Sequence, residues 1–348
     1  MRWFTHTIFL LTSVFCLGAA GLWGQTHQLE PARVPHTETG VPRFLIRGTE
    51  ALGLSTSPTD LHLLPDGRVL VFAQQTIALG DGTRWVTFRQ AADEAPAIIS
   101  RVAVGVDGTI YAGAPGGIAR LEIGEDQHWR TRLAATIPGP EPGTFANGPR
   151  EVIDLGDAWL WHSGSGPIHL WQPGQTVRTV GQTDAADHAF AFRGSHYLSN
   201  RTTGELWRLQ GDQMERVPFS PTVWVNDTLT CSLPFDEQHL LVGSFRRGLQ
   251  LFDGERVTPF VAEGLLASPA RINALCPAGE GFFAAAVDNV GIVFFDRQGR
   301  IVQVLDRNAD HRLSFVRRLL PGPGGVIWGL LKDGIIRVHF PSRVSDFV

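Results

Sequence analysis

The sequence predicts an all-β fold, a single seven-bladed β-propeller with four strands per blade, on three observations. A four-strand unit recurs along nearly the whole chain, glycine marks the start of its third strand, and Gly, Pro and Asp punctuate the apolar runs. The 348 residues include 39 Gly and 22 Pro against 43% hydrophobic side chains. That balance supplies core material and frequent turns together, which suits many short strands and disfavours long helices.

The unit is clearest near the C-terminus. Arg271 to Leu275 forms a first strand, a turn follows at Gly279 to Gly281, and Phe282 to Val287 is the second strand. Asp288 and Asn289 turn the chain into Gly291 to Phe295, and Asp296 to Gly299 leads into Arg300 to Leu305. The third-strand start recurs as Gly117-Ile118, Gly166 with Ile168, Gly204 with Leu206, Gly248-Leu249, Gly291-Ile292 and Gly334-Ile335, with Ile77 as a version lacking the glycine. Successive glycines lie 49, 38, 44, 43 and 43 positions apart. A period of about 40 to 45 residues with four strands per repeat is that of a propeller blade. The longest step holds a loop inserted at Gly139 to Gly143 and Asn147 to Pro149.

One four-stranded sheet cannot bury both of its faces, whereas radially stacked sheets cover each other. Turns at Asp66-Gly67, Asp81-Gly82, Asp107-Gly108, Asp253-Gly254 and Asp333-Gly334 place residues that tolerate positive φ between strands. Trp85, Trp129, Trp171, Trp207 and Trp328 fall in or beside strands and are expected in inter-blade packing. The last unit, Val316 to Leu320, Val326 to Leu331 and Ile335 to Phe340, lacks a fourth strand, while Pro42 to Arg47 is an orphan strand ahead of the first unit. The N-terminal strand is predicted to pair with the last blade as its outermost strand and to close the ring.

The first residues read as a targeting segment: Arg2, an apolar run from Ile8 to Leu17, then Gly18, Ala19, Ala20 and Gly21. The expected organisation is a cleaved signal peptide over residues 1–24, a linker over 25–41, the propeller over 42–340 and a tail over 341–348. The apolar run is shorter than the roughly 20 residues of a bilayer span, and no later segment is long enough, so a periplasmic or secreted chain without a transmembrane segment is expected. Loss of Cys16 with the signal leaves Cys231 and Cys276, 45 positions apart, and the favoured reading is two buried, unpaired thiols on neighbouring blades. A net charge of −4, from 30 basic and 34 acidic residues without long runs, provides no footprint for nucleic acid.

In a propeller the loops entering each first strand share a face with the loops between second and third strands. The residues this places there as candidate ligand contacts are Phe245, Arg246 and Arg247, with His162, Asn200, Arg201, Trp224, Asn289 and Arg317. Arg offers a planar donor fork for carboxylate, phosphate or sugar hydroxyls and Phe a stacking surface; the same residues also read as solvated turn positions. No Gly-x-Ser-x-Gly elbow, His-Glu-x-x-His pair or phosphate-binding loop occurs, and the histidines are scattered. No catalytic residue, metal or cofactor is therefore expected, although propellers can assemble carboxylates and histidines from different blades around the channel.

The stretches Leu240 to Leu249 (LLVGSFRRGL) and Val326 to Ile335 (VIWGLLKDGI) resemble the two-component regulator propeller repeats of periplasmic sensor regions in bacterial histidine kinases. The resemblance spans about Leu45 to Phe340, with degenerate units at Glu151 to Leu170 and His188 to Leu209. It implies a ligand-binding sensor, with small molecules or glycans as ligands, whose kinase or other output lies on a signalling partner or on a missing downstream segment. Two rivals stand beside it: a channel-centred hydrolase or lyase, and a protein-interaction propeller.

Overall fold

A computed structural model describes residues 41–341 apart from 93–101, 115, 138–150, 155–157, 163–165, 184–185, 218–223, 225 and 262. The expected signal peptide, most of the linker, residues 342–348 of the C-terminal tail and the inserted loop at Gly139 to Pro149 lie outside the described residues.

Among the described residues 28 strands are joined by turns and a few short 3-10 segments such as Glu50–Leu52 and His311–Ser314. Antiparallel four-stranded units cover residues 60–90, 102–136, 151–183, 186–216, 229–259, 272–306 and 316–339, and are called here units one to seven. Their first strands are Asp60–Leu63, Val102–Val104, Glu151–Asp154, Ala186–Phe192, Leu229–Pro234, Ile272–Pro277 and Val316–Pro321. Unit seven has three strands of its own. Its fourth is Phe44–Gly48, which pairs antiparallel with Gly334–His339 from Phe44 opposite Val338 to Gly48 opposite Gly334, as the orphan N-terminal strand requires.

Each unit is driven by the same pattern of burial. Second and third strands such as Phe282–Val287 and Gly291–Asp296 are almost wholly buried, so they read as continuous apolar runs instead of alternating ones. Outer strands such as Ile301–Asp306 are half-buried. The two sequence-degenerate units still form complete sheets. In unit three, Trp159 and Trp171 stack with ring centroids 5.7 Å apart and Tyr111 of unit two meets Trp171 at 4.9 Å, so aromatic bulk replaces the usual small-residue pattern.

The apolar core lies between units rather than inside them. Leu70 and Phe72 of unit one pack with Ile110 and Ala112 of unit two, and Ala103 and Ile118 of unit two with Trp159 and Trp161 of unit three. The series continues through Leu160 with Leu198, Leu206 with Val242, Leu241 with Phe295, and Phe294 with Leu319. A further cluster unites Leu61 and Val71 of unit one with Trp328 and Ile335 of unit seven. Trp85 of unit one meets Trp328 edge-on at 6.3 Å, so this pair packs between units as expected.

One departure from separate four-stranded sheets occurs. Units one and two merge into an eight-stranded sheet through a short parallel contact, Arg89 opposite His128 and Gln90 opposite Trp129. The fully buried Trp129 anchors it, its Nε1 donating to the Gln75 carbonyl at 3.1 Å. Cys231 and Cys276 are buried, unpaired and on the first strands of units five and six. Burial pushes both thiols up to about 12, so they behave as small apolar groups.

Candidate functional site

The first strands of all seven units contribute to a single cavity of about 440 Å³, through Asp60, Val102, Val152, His188, Thr230, Asn273 and Arg317 among others. Among the described lining residues the wall is apolar at units two and three and polar along units four to seven and unit one. The polar arc has a local cause. The pairing register between first and second strands shifts at Ala186/Ala189, Leu229/Cys231, Ile272/Ala274 and Val316/Arg318. Bulges of this kind break the in–out alternation and re-aim a side chain; here His188, Thr230, Asn273 and Arg317 sit at the shifts and line the cavity.

Three of these four side chains make the same contact. Thr230 Oγ1 donates to the Ile272 carbonyl, Asn273 Nδ2 to Val316 O at 3.2 Å, and Arg317 Nη2 to Pro58 O as well as to Leu331 O at 3.1 Å. Thr230, Asn273 and Arg317 thus each tie their own strand to the next, and Arg317 ties unit seven to the segment entering unit one. His188 differs. Its Nε2 lies 3.1 Å from the Ser232 hydroxyl on the neighbouring strand, and burial pushes the imidazole down to about 4, which leaves it neutral at pH 7.

Asp60 is the carboxylate of this site and is only 1% exposed. It accepts from Leu61 N at 3.0 Å and Val102 N at 3.4 Å, is bonded to His62 Nε2 at 2.9 Å, and pairs with the Arg318 guanidinium. A buried carboxylate is tolerable only with such a set of donors. Among the described residues no group of three or more His, Cys, Asp or Glu is arranged to hold a metal ion, and no helix is long and apolar enough to cross a membrane.

Of the sequence candidates, Arg317 lines the cavity, while the others are distributed elsewhere. Three lie in the interior instead of on an open loop face. His162 ends the second strand of unit three, is 1% exposed, and is pushed down to about 4 by burial. Trp224 is buried and its Nε1 donates to Gln250 Oε1 at 3.1 Å. Asn200 is buried, its Oδ1 accepting from the Thr202 and Thr203 amides at 2.9 and 3.1 Å, so it fixes its own turn; it also borders a groove with Gln182, Glu205 and Trp207. Phe245 has one face covered by the Arg271 guanidinium, 3.6 Å from the ring centroid, and Arg271 reaches Asp288 at 3.5 Å. Arg247 Nε lies 3.5 Å from the buried Asp227 carboxylate. Arg201, Arg246 and Asn289 are exposed turn residues, Asn289 at φ +59°.

Sequence reasoning missed Asp60, His188, Ser232 and Arg318. A signal existed: His188, Thr230, Asn273 and Arg317 lie 42, 43 and 44 positions apart, the blade period at a position occupied by polar residues.

No protein-family model and no curated protein matches the chain in sequence. Solved structures do. A streptogramin B lyase shares 14% identity at a TM-score of 0.61, covering 85% of this chain and 97% of that one. The WD40 β-propeller domain of Doa1 shares 13% at 0.62, over 88% and 99%. The extracellular domain of a putative one component system from B. thetaiotaomicron shares 14% at 0.64, over 86% of this chain and 40% of that one. The likeness shows the fold, a β-propeller. This propeller spans about two fifths of the B. thetaiotaomicron domain, and a putative hybrid two component system of that organism matches similarly, at 16% identity and a TM-score of 0.63.

Proposed function

We propose that the chain is the ligand-binding propeller of an exported sensor of the two-component type, with seven blades closed into a ring and the ligand held in the central cavity. The observation that carries this reading is the cavity itself: one first strand from each of seven units lines it, and its wall combines apolar surface with a few convergent polar groups. Closure is supported by the N-terminal strand paired into unit seven, by the core shared between units one and seven, and by Arg318 reaching Asp60. Export is supported by the apolar run and small residues near the N-terminus. The likeness to extracellular sensor domains supports signalling, with output on a partner protein. A second reading, a channel-centred hydrolase or lyase, draws on the His188–Ser232 pair facing the cavity.

Thermal unfolding against oligosaccharides, organic acids and divalent metals tests the assignment, because a ligand at about 100 times its Kd adds roughly 2.7 kcal/mol to the native state. The sensor reading expects a stabilising small molecule whose effect disappears in Ala189→Phe, which fills the cavity, and persists in Arg246→Ala/Arg247→Ala. Loss of the effect in the arginine variant alone moves the site to the loop face. Turnover of a panel compound that stops in Ser232→Ala supports the enzyme instead.

A further inference from the structure

His188 departs from the other residues at the register shifts. Thr230, Asn273 and Arg317 each donate a side-chain hydrogen to a backbone carbonyl across a unit boundary, a tie that needs only a donor. His188 meets a hydroxyl instead: its Nε2 lies 3.1 Å from Ser232 Oγ, on the first strand of the next unit. Among the described residues the side chains of His188 and Ser232 hydrogen-bond only to each other, and both line the cavity. The imidazole is also fixed in place. The Ser199 hydroxyl accepts from the His188 amide at 3.2 Å and donates to the His188 carbonyl at 3.0 Å, and the ring lies against Phe190 with centroids 6.2 Å apart and planes 26° from parallel. Burial holds it low, at about 4, so at pH 7 it is neutral and able to take a proton. With its own proton on Nδ1, Nε2 accepts from the Ser232 hydroxyl. A serine at hydrogen-bond distance from a neutral imidazole, in a ligand-sized cavity, is the arrangement that makes a weak nucleophile effective.

We propose that Ser232 is a nucleophile with His188 as its base, and that the cavity captures a small acyl compound, an ester or lactone, as a covalent acyl-serine. This rests on the reading of the cavity as the ligand site and adds what the site does to its ligand. Ser232 Oγ bonds to the carbonyl carbon while its proton passes to His188 Nε2. The bond from that carbon to the ester oxygen breaks, and the departing oxygen takes the proton from Nε2. Water attacking the acyl-serine, with His188 again accepting the proton and returning it to Oγ, releases a carboxylic acid and the free serine. The volume of about 440 Å³ suits an acyl compound of small-molecule size.

A fluorophosphonate, which marks activated serines irreversibly, tests this on the full chain, with the adduct mapped by peptide mass spectrometry. The expected result is an adduct on Ser232 that does not form in urea, is lost in Ser232→Ala and in Ala189→Phe, and is slowed by p-nitrophenyl butyrate. His188→Gln should form it at least about a hundredfold more slowly, the lower end of what a positioned base contributes; glutamine can hold the hydroxyl but cannot take its proton. The mapped wild-type adduct, native against urea, decides the matter even if a variant unfolds. No adduct on Ser232, or one that forms equally in urea, overturns the proposal, and an unchanged rate in folded His188→Gln overturns the base. An adduct that persists in Ala189→Phe overturns the placement in the cavity. A small molecule whose stabilising effect is lost in Ala189→Phe, while Ser232 stays unmodified by the fluorophosphonate, overturns the nucleophile and leaves the cavity standing as a ligand site.

Discussion

His162 and Asp310 show how burial and hydrogen bonding set the acid response of single residues. The His162 imidazole is held at about 4 by burial, whereas the unfolded chain takes up its proton near 6.5. Its contribution is complete above pH 6.5 and is lost as the pH falls toward 4, by about 3 kcal/mol in all. Urea unfolding of His162→Gln between pH 7 and pH 4 should therefore show a shallower fall in stability than the wild type; an unchanged slope refutes the assignment. Asp310 acts at lower pH. Its carboxylate caps the segment His311–Ser314 through the Arg312 amide and is gripped by the Arg312 side chain at 2.9 and 2.6 Å, which holds it at about 2. A carboxyl lowered in this way stabilises the fold above pH 3.8 and loses that contribution only as the pH falls through 2. Its protection and the histidine penalty occupy separate pH windows.

The glycine that opens the third strand explains itself at the level of the strand. A Cβ at Gly117, Gly248 or Gly291 would overlap the backbone carbonyl of Ala135, Leu266 or Leu305. At Gly334 the carbonyl is that of Arg47, on the N-terminal strand, so Phe44–Gly48 occupies the place of a fourth strand down to this contact. Gly334→Val should push that strand away and lower stability by about 2 kcal/mol or more, in the range of overpacked positions, with hydrogen exchange rising first at Phe44 to Gly48. Unchanged exchange there would remove the strand from its assigned role. The periodic glycine was legible in sequence because the clash recurs at Gly117, Gly248, Gly291 and Gly334, while Gly166, with open space around it, is held to glycine by its φ of +98°. The pairing of the two termini was legible too, since one end lacked a strand and the other had one to spare. The parallel contact of Arg89 and Gln90 with His128 and Trp129 was not, because it joins two outer edges that no periodicity links.

At the scale of the whole molecule, the site was less legible than the fold because loop position is a weak guide to exposure. His162 ends a strand and Trp224 lies in the connection ahead of Leu229–Pro234, yet both are buried, while the cavity wall is set by four register shifts that no local motif announces. The same first strands fix how the first and last units meet. Arg318 of unit seven reaches Asp60 of unit one, whose side chain is 1% exposed against 34% for Arg318. Replacing Arg318 by Met leaves a buried carboxylate short of its cation. The cost should be about 2 to 3 kcal/mol, below that of a fully buried pair because Arg318 is partly solvated and His62 and two amides remain on Asp60. Asp60→Asn removes the charge that needs compensation, so Arg318→Met on that background should cost much less. A double-mutant cycle by urea unfolding should then give a coupling of about 1 kcal/mol or more between residues 258 positions apart in the chain. Coupling of that size requires the two ends of the repeat array to be in contact in solution, as a closed ring demands, and additive effects would mean that units one and seven do not meet.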